Sequence, residues 1–155
     1  MALAGLSTLG VTFGYGTEST AGTKPATFTQ LTRINQIGAI SLENQQIDAS
    51  ALEDLVTKNI AGRADTPGNV GVTINLTDDT KSEWETLIST YKALTGGKQM
   101  WFEIIIPNMT ESYFFIAQQP QEIPSPEMGQ NELLTVEITL TIVDVKAFDT
   151  KVAFT

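Results

Sequence analysis

Val70-Gly71-Val72-Thr73-Ile74-Asn75-Leu76, followed by Thr77-Asp78-Asp79-Thr80-Lys81-Ser82-Glu83-Trp84, is where the chain declares its architecture. Val70, Val72, Ile74 and Leu76 alternate with smaller or polar residues, the pattern of a strand with one buried face. Beyond Leu76 the apolar residues Trp84, Leu87, Ile88, Tyr91 and Leu94 fall on one face of a helix of about 80–95. Asp78 and Asp79 favour its positive end, Thr80 and Glu83 have capping-box spacing, and Gly96-Gly97 stop it. A helix with one apolar stripe next to a half-buried strand predicts a helix lying on a sheet, so these five residues are the expected helix–sheet core.

Working outward, Leu134 to Asp144 repeats the strand pattern more fully. Leu134, Val136, Ile138, Leu140 and Ile142 share one face, and Thr135, Glu137, Thr139 and Thr141 share the other. Met100 to Ile106 is mostly apolar and ends at Pro107, as a strand buried on both faces would. Tyr113 to Ala117 reads as its antiparallel neighbour across Pro107-Asn108-Met109-Thr110, and Gln118 to Gln130 is a polar, proline-containing connection. Thr27 to Leu42 suggests one or two short strands bent at Gly38. Residues 1–26, rich in Gly, Ser, Thr and Ala, read either as an arm that orders on a partner or as a frayed end. Residues 43–69 read as a long polar loop with a Pro-Gly turn, in which Leu52, Leu55 and Val56 have the spacing of a helical turn. The expected class is mainly β with one helix, an antiparallel β-sandwich or barrel in a single domain spanning 1–155.

Composition closes off much chemistry. Nine basic against 18 acidic residues give a formal charge of −9, which repels a phosphate backbone. The absence of cysteine removes thiolate catalysis and sulfur metal sites, and the absence of histidine removes the commonest general base. No P-loop or Gly-x-Ser-x-Gly is present, and Gly14 and Gly16 form only a Gly-x-Gly. Adjacent carboxylates at Glu53-Asp54 and Asp78-Asp79 point apart on regular backbone and make poor acid–base pairs. The expectation is therefore no enzyme, no catalytic residue, no metal and no cofactor. Trp84 and Trp101 sit in apolar patterns and read as core, with sugar stacking in a carbohydrate-binding or adhesion module as the alternative. Met1-Ala2-Leu3-Ala4-Gly5-Leu6 lacks the basic start and apolar run of a signal peptide, and no stretch approaches a bilayer span. A soluble product of a cytoplasm is expected.

One combination is more specific. Gln46-Ile47-Asp48-Ala49-Ser50-Ala51-Leu52-Glu53-Asp54, then Ile60-Ala61-Gly62, then Thr66-Pro67-Gly68-Asn69-Val70-Gly71-Val72 resembles, in order, three pieces of the tail tube proteins of long-tailed phages. The resemblance extends to Phe28-Thr29-Gln30-Leu31 and Ile34-Asn35-Gln36-Ile37-Gly38, and forward to Asp78-Asp79. It implies a tail-tube fold and homohexameric rings that stack into a hollow tube conducting DNA. It further implies a tape-measure protein, tail-tip initiator and terminator as partners, and a place in the virion tail after synthesis in the host bacterium. About four strands per subunit, spaced about 4.8 Å and tilted about 40°, would close a barrel roughly 50 Å across, wide enough for duplex DNA. In that setting Thr135, Glu137, Thr139 and Thr141 would line the lumen. Gln46, Asp48, Ser50, Glu53, Asp54, Lys58 and Arg63 would belong to the loop that stacks one ring on the next. The inner tube of a contractile tail or injection system is the nearest alternative.

Overall fold

The computed structural model describes residues 5–65, 68–120 and 122–155. Met1 to Ala4, and the Pro67 half of the expected Pro-Gly turn, lie outside them. Ten elements follow in order: β1 (Thr12–Thr17), β2 (Thr29–Leu31), β3 (Ile34–Ile37), β4 (Glu43–Asp48), β5 (Asn59–Asp65), β6 (Asn69–Asn75), α1 (Asp78–Lys92), β7 (Met100–Ile105), β8 (Glu111–Gln118) and β9 (Thr135–Thr150). Seven strands form one sheet in the order β2-β1-β7-β8-β9-β6-β3, and β4 pairs with β5 in a separate ribbon. Every named strand pair is antiparallel.

The connection between β2 and β3 shows that the large sheet is rolled up. These strands form its two opposite edges, yet Leu31 and Ile34 are separated only by Thr32 and Arg33. Three residue steps reach about 11 Å at most, whereas the edges of a flat seven-stranded sheet would stand about 29 Å apart. The sheet must therefore curl until its edges meet. Arg33 adopts φ 57° to make the corner, and its carbonyl accepts the Asn75 N–H at 3.0 Å.

The inside of this roll holds the main core: Phe13 and Tyr15 of β1, Leu31 of β2, Val70, Val72 and Ile74 of β6, Met100 and Phe102, Phe115 and Ala117, and Val136, Ile138, Leu140 and Ile142 of β9. Phe13, Phe102 and Phe115 stack across three neighbouring strands with ring centres 5.3–6.3 Å apart. Helix α1 adds Trp84 and Leu87, both fully buried, with Ile88 and Tyr91 packed at the margin and Leu94 beside them just past its end. It lies at the seam, where the Glu83 carboxylate accepts both the backbone N–H and the hydroxyl of Thr32, at 3.0 and 2.8 Å.

The helix begins one turn from where its expected cap lies. Thr77 is the N-cap and Thr80 the third helical residue; each side chain bonds the other's backbone N–H, while Glu83 is occupied with Thr32. Gly96 and Gly97 end the turn beyond it with φ 69° and 76°. A larger correction concerns residues 1–26. Rather than only an arm that orders on a partner or a frayed end, they include β1, an inner strand with Phe13 and Tyr15 in the core. Likewise, of the expected loop 43–69, residues 43–65 are an antiparallel ribbon with a ten-residue connection rather than a loop containing a helical turn.

Strand β9 runs well past Asp144. Its first half pairs with β6, and its second half pairs with β8 after register shifts that leave Val143 and Lys146 without partners. Bulges of this kind bend a strand and increase its twist, which lets one strand serve two neighbours in succession.

Candidate functional site

Two surfaces present themselves. The first is the polar outer side of β6 and β9. Glu137, Thr139 and Thr141 are exposed and Thr135 is half-buried, opposite Thr73, Gly71, Asn69 and Asn75 respectively. The alternating residues Val136, Ile138, Leu140 and Ile142 are buried in the core, so pleat geometry alone turns the threonine and glutamate row outward. Gly71 has a specific purpose here, since a Cβ at that position would lie 2.7 Å from Glu137 Oε1. Its bare backbone lets the glutamate lie across β6. The connection before β9 returns alongside, so that Glu127, Glu132 and Glu137 line one cleft of about 410 Å³. The face is thus hydrated and weakly acidic.

The second surface is the β4–β5 ribbon. Every residue of β4 is exposed, and in β5 only Gly62 is half-buried. Its connection is braced from within. Asp48 accepts the Ser50 N–H at 2.9 Å, Asp54 accepts the Ala51 N–H at 2.7 Å and pairs with Lys58 at 2.9 Å, and the Lys58 N–H donates to Ser50 Oγ at 2.7 Å. Backbone donors at Ser50 and Ala51, with Lys58 as a second contribution at Asp54, hold both carboxyls below the ordinary value. Gln46 Oε1 sits 3.4 Å from Asn59 Nδ2, while Glu53 and Arg63 are exposed.

This bracing changes which residues are available to a partner. Of the seven expected contact residues, Asp48, Ser50, Asp54 and Lys58 are committed to the ribbon's own shape. Beside the exposed Glu53 and Arg63, the uncovered groups include apolar ones: Leu52 and Leu55 are fully exposed, Val56 is largely exposed, and the facing pair Ile47 and Ile60 are about half exposed. In the sequence these residues do not stand out as a contact surface, because Leu52, Leu55 and Val56 have the spacing of a helical turn that packs inward. An isolated two-stranded ribbon is marginal in water, and the apolar side chains at the tip of this one stand exposed.

Neither tryptophan is a stacking platform, since Trp84 is fully buried and Trp101 is 6% exposed. A cleft of about 930 Å³ lies between the β2–β3 corner and the start of α1, and its Glu83 carboxylate is already bonded to Thr32. Among the described residues, no group of three His, Cys, Asp or Glu side chains is placed to hold a metal ion. Among the same residues, no helix is long and apolar enough to cross a membrane.

No protein-family model and no curated protein matches the chain. Solved structures do. A chain in the cryo-EM structure of the anti-feeding prophage (AFP) baseplate, 6-fold symmetrised, aligns with TM-score 0.56 and 13% identity over 94% of this chain and 96% of that one. A chain in the tail of an empty GTA particle, from helical refinement with C6 symmetry, aligns with TM-score 0.52 and 14% identity over 91% and 95%. A chain in the virion of the native gene transfer agent particle gives 0.51 and 14% over 80% and 88%. At such identities the fold is what is shared. This chain has the fold of components of tail and baseplate assemblies.

Proposed function

We propose that this protein is a structural tail subunit whose homohexameric rings stack into a hollow tube conducting DNA. The carrying observation is the β4–β5 ribbon, a braced and uncovered element with Leu52, Leu55 and Val56 at its tip. It belongs to a chain whose fold matches, over nearly its whole length, components of six-fold assemblies. The ribbon is the stacking element, and its apolar tip seats on the next ring. Thr135, Glu137, Thr139 and Thr141 face the lumen, where hydroxyls and a carboxylate hydrate the wall and repel phosphate, so that DNA slides rather than binds. A tape-measure protein, a tail-tip initiator and a terminator set the length, and the finished subunit resides in the virion tail.

A second reading, the inner tube or baseplate of a contractile injection system, is favoured by the match to the AFP baseplate chain. Sheath density around isolated tubes would select it. The stacking proposal is tested by deleting residues 50–60. The shortened protein is expected to remain folded by circular dichroism yet form no tubes when concentrated or supplied with tail-tip complexes. Normal polymerisation of the deletion variant would refute the role of the ribbon.

A further inference from the structure

The outer side of β1, β7 and β8 carries a second apolar cluster. Phe28, Trp101, Phe114 and Ile116 are buried there beneath Val152 and Phe154. Residues 151–155 leave the end of β9 and cross this face. The Val152 N–H donates to Glu103 Oε2 at 3.0 Å, and the Thr155 N–H and hydroxyl donate to the Phe28 carbonyl at 3.0 and 3.3 Å. Phe154 bridges Phe28 in parallel register.

The floor is shaped for this segment. A Cβ at Gly14 would stand 2.5 Å from the Thr29 carbonyl oxygen and run into the Phe154 ring; one at Gly16 would stand 2.6 Å from the Thr27 carbonyl oxygen. The Gly-x-Gly of β1 is therefore a pair of side-chain gaps over which rings lie. At the rim, Lys24 donates to the Thr150 carbonyl at 2.7 Å, pairs with Asp149 at 3.4 Å and stands 4.1 Å from the centre of the Phe114 ring. Beneath the segment, the Glu103 carboxylate and the Ser112 hydroxyl are buried together.

A main-chain acceptor for an extended segment, a glycine floor, one aromatic slot and a buried carboxylate are parts by which proteins recognise short peptides. We propose that this face is a peptide-binding groove which the chain fills with its own residues 151–155, and which a second copy of the chain fills with the same segment on exchange. A segment from another copy finds identical contacts, so exchange changes only the path of the chain near Thr150 and the entropy of association. Neighbouring copies in any assembly supply that segment at high effective concentration. The groove is a separate matter from ring stacking and stands or falls without it.

The test uses ¹⁵N-labelled protein ending at Thr150, titrated with an acetylated peptide of residues 151–155. The amide signals of Gly14, Glu103 and Phe114 should move saturably to their positions in the full chain. A peptide carrying Phe154→Ala should bind at least about tenfold more weakly, because it loses the ring that fills the slot. Unlabelled full-length protein, added in place of the peptide, should produce the same movement as its own segment lifts. Signals unmoved by the peptide would overturn the groove; signals moved by the peptide but not by full-length protein would overturn the exchange. Should the shortened protein fail to fold, hydrogen exchange on the full chain decides. Val152 and Thr155 amides must exchange by local opening, at least about tenfold faster than Phe102 and Phe115. Equal rates would mean that the groove never empties short of unfolding, which overturns the proposal.

Discussion

Glu103 is the residue on which the outer face turns. Burial pushes its carboxyl above the ordinary value of 4.5, offset in part by the Val152 N–H. A carboxyl raised by folding binds its proton more tightly in the folded state, so its contribution falls as pH rises from the unfolded value through the folded one. Glu103→Gln removes that dependence. Urea midpoints should show the variant gaining on the parent between acid and neutral pH, with the gap closing below the ordinary carboxylate value. A pH-independent difference would show that ionisation of Glu103 is not opposed by the fold. At Gly14 the physics is steric. Gly14→Ala should destabilise by about 1–3 kcal/mol in urea, the usual range for overpacking, and should loosen Phe154.

Among the elements, those with one wet and one dry face are legible in the amino-acid pattern alone. Strands β6 and β9 alternate, and α1 carries its stripe from Trp84 to Tyr91. Those that are not legible have physical reasons. Phe13 and Tyr15 do alternate in β1, but the residues flanking Tyr15 are glycines, whose composition resembles that of a loop; the glycines are there because Phe28 and Phe154 need the space. The ribbon is hidden because both of its faces are exposed, which erases the period on which strand reading rests. The capping box lies three residues earlier than its spacing suggests because Thr80 serves as its inner member rather than its cap. The candidate site is legible as a segment, 43–69, but not in its chemistry, since the polar residues brace and the apolar ones are displayed.

Two predictions belong to the ribbon. Replacing Leu52, Leu55 and Val56 with serine should leave unfolding of the subunit within about 0.5 kcal/mol of the parent, as for exposed positions generally, while abolishing assembly measured by light scattering. Acidification should act on the same tip. Asp48 and Asp54 are held below the ordinary value of 3.8, so the stability they contribute is present above that value and is lost as pH falls through their lowered ones. Protection of the Ser50 and Ala51 amides, measured against their intrinsic exchange rate at each pH, should therefore fall in acid before that of the β8 amides does.

On the scale of the whole molecule, a rolled sheet with a polar side and a projecting ribbon is well suited to being repeated. In the proposed tube, the polar side has a transport consequence. Lysines at Glu137 and Thr139 would convert a wall that repels phosphate into one that attracts it, slowing genome ejection from assembled tails while sparing tube formation. Unchanged ejection would argue against their facing the lumen.

Assembly is the property on which the proposed function rests. Electron microscopy of the concentrated protein in negative stain, with light scattering to count subunits before and after, tests it most directly. Hollow tubes or six-fold rings are the expected result, formed alone or on added tail-tip complexes. Monomers that persist at high concentration, and that also fail to extend tail-tip complexes, would contradict it.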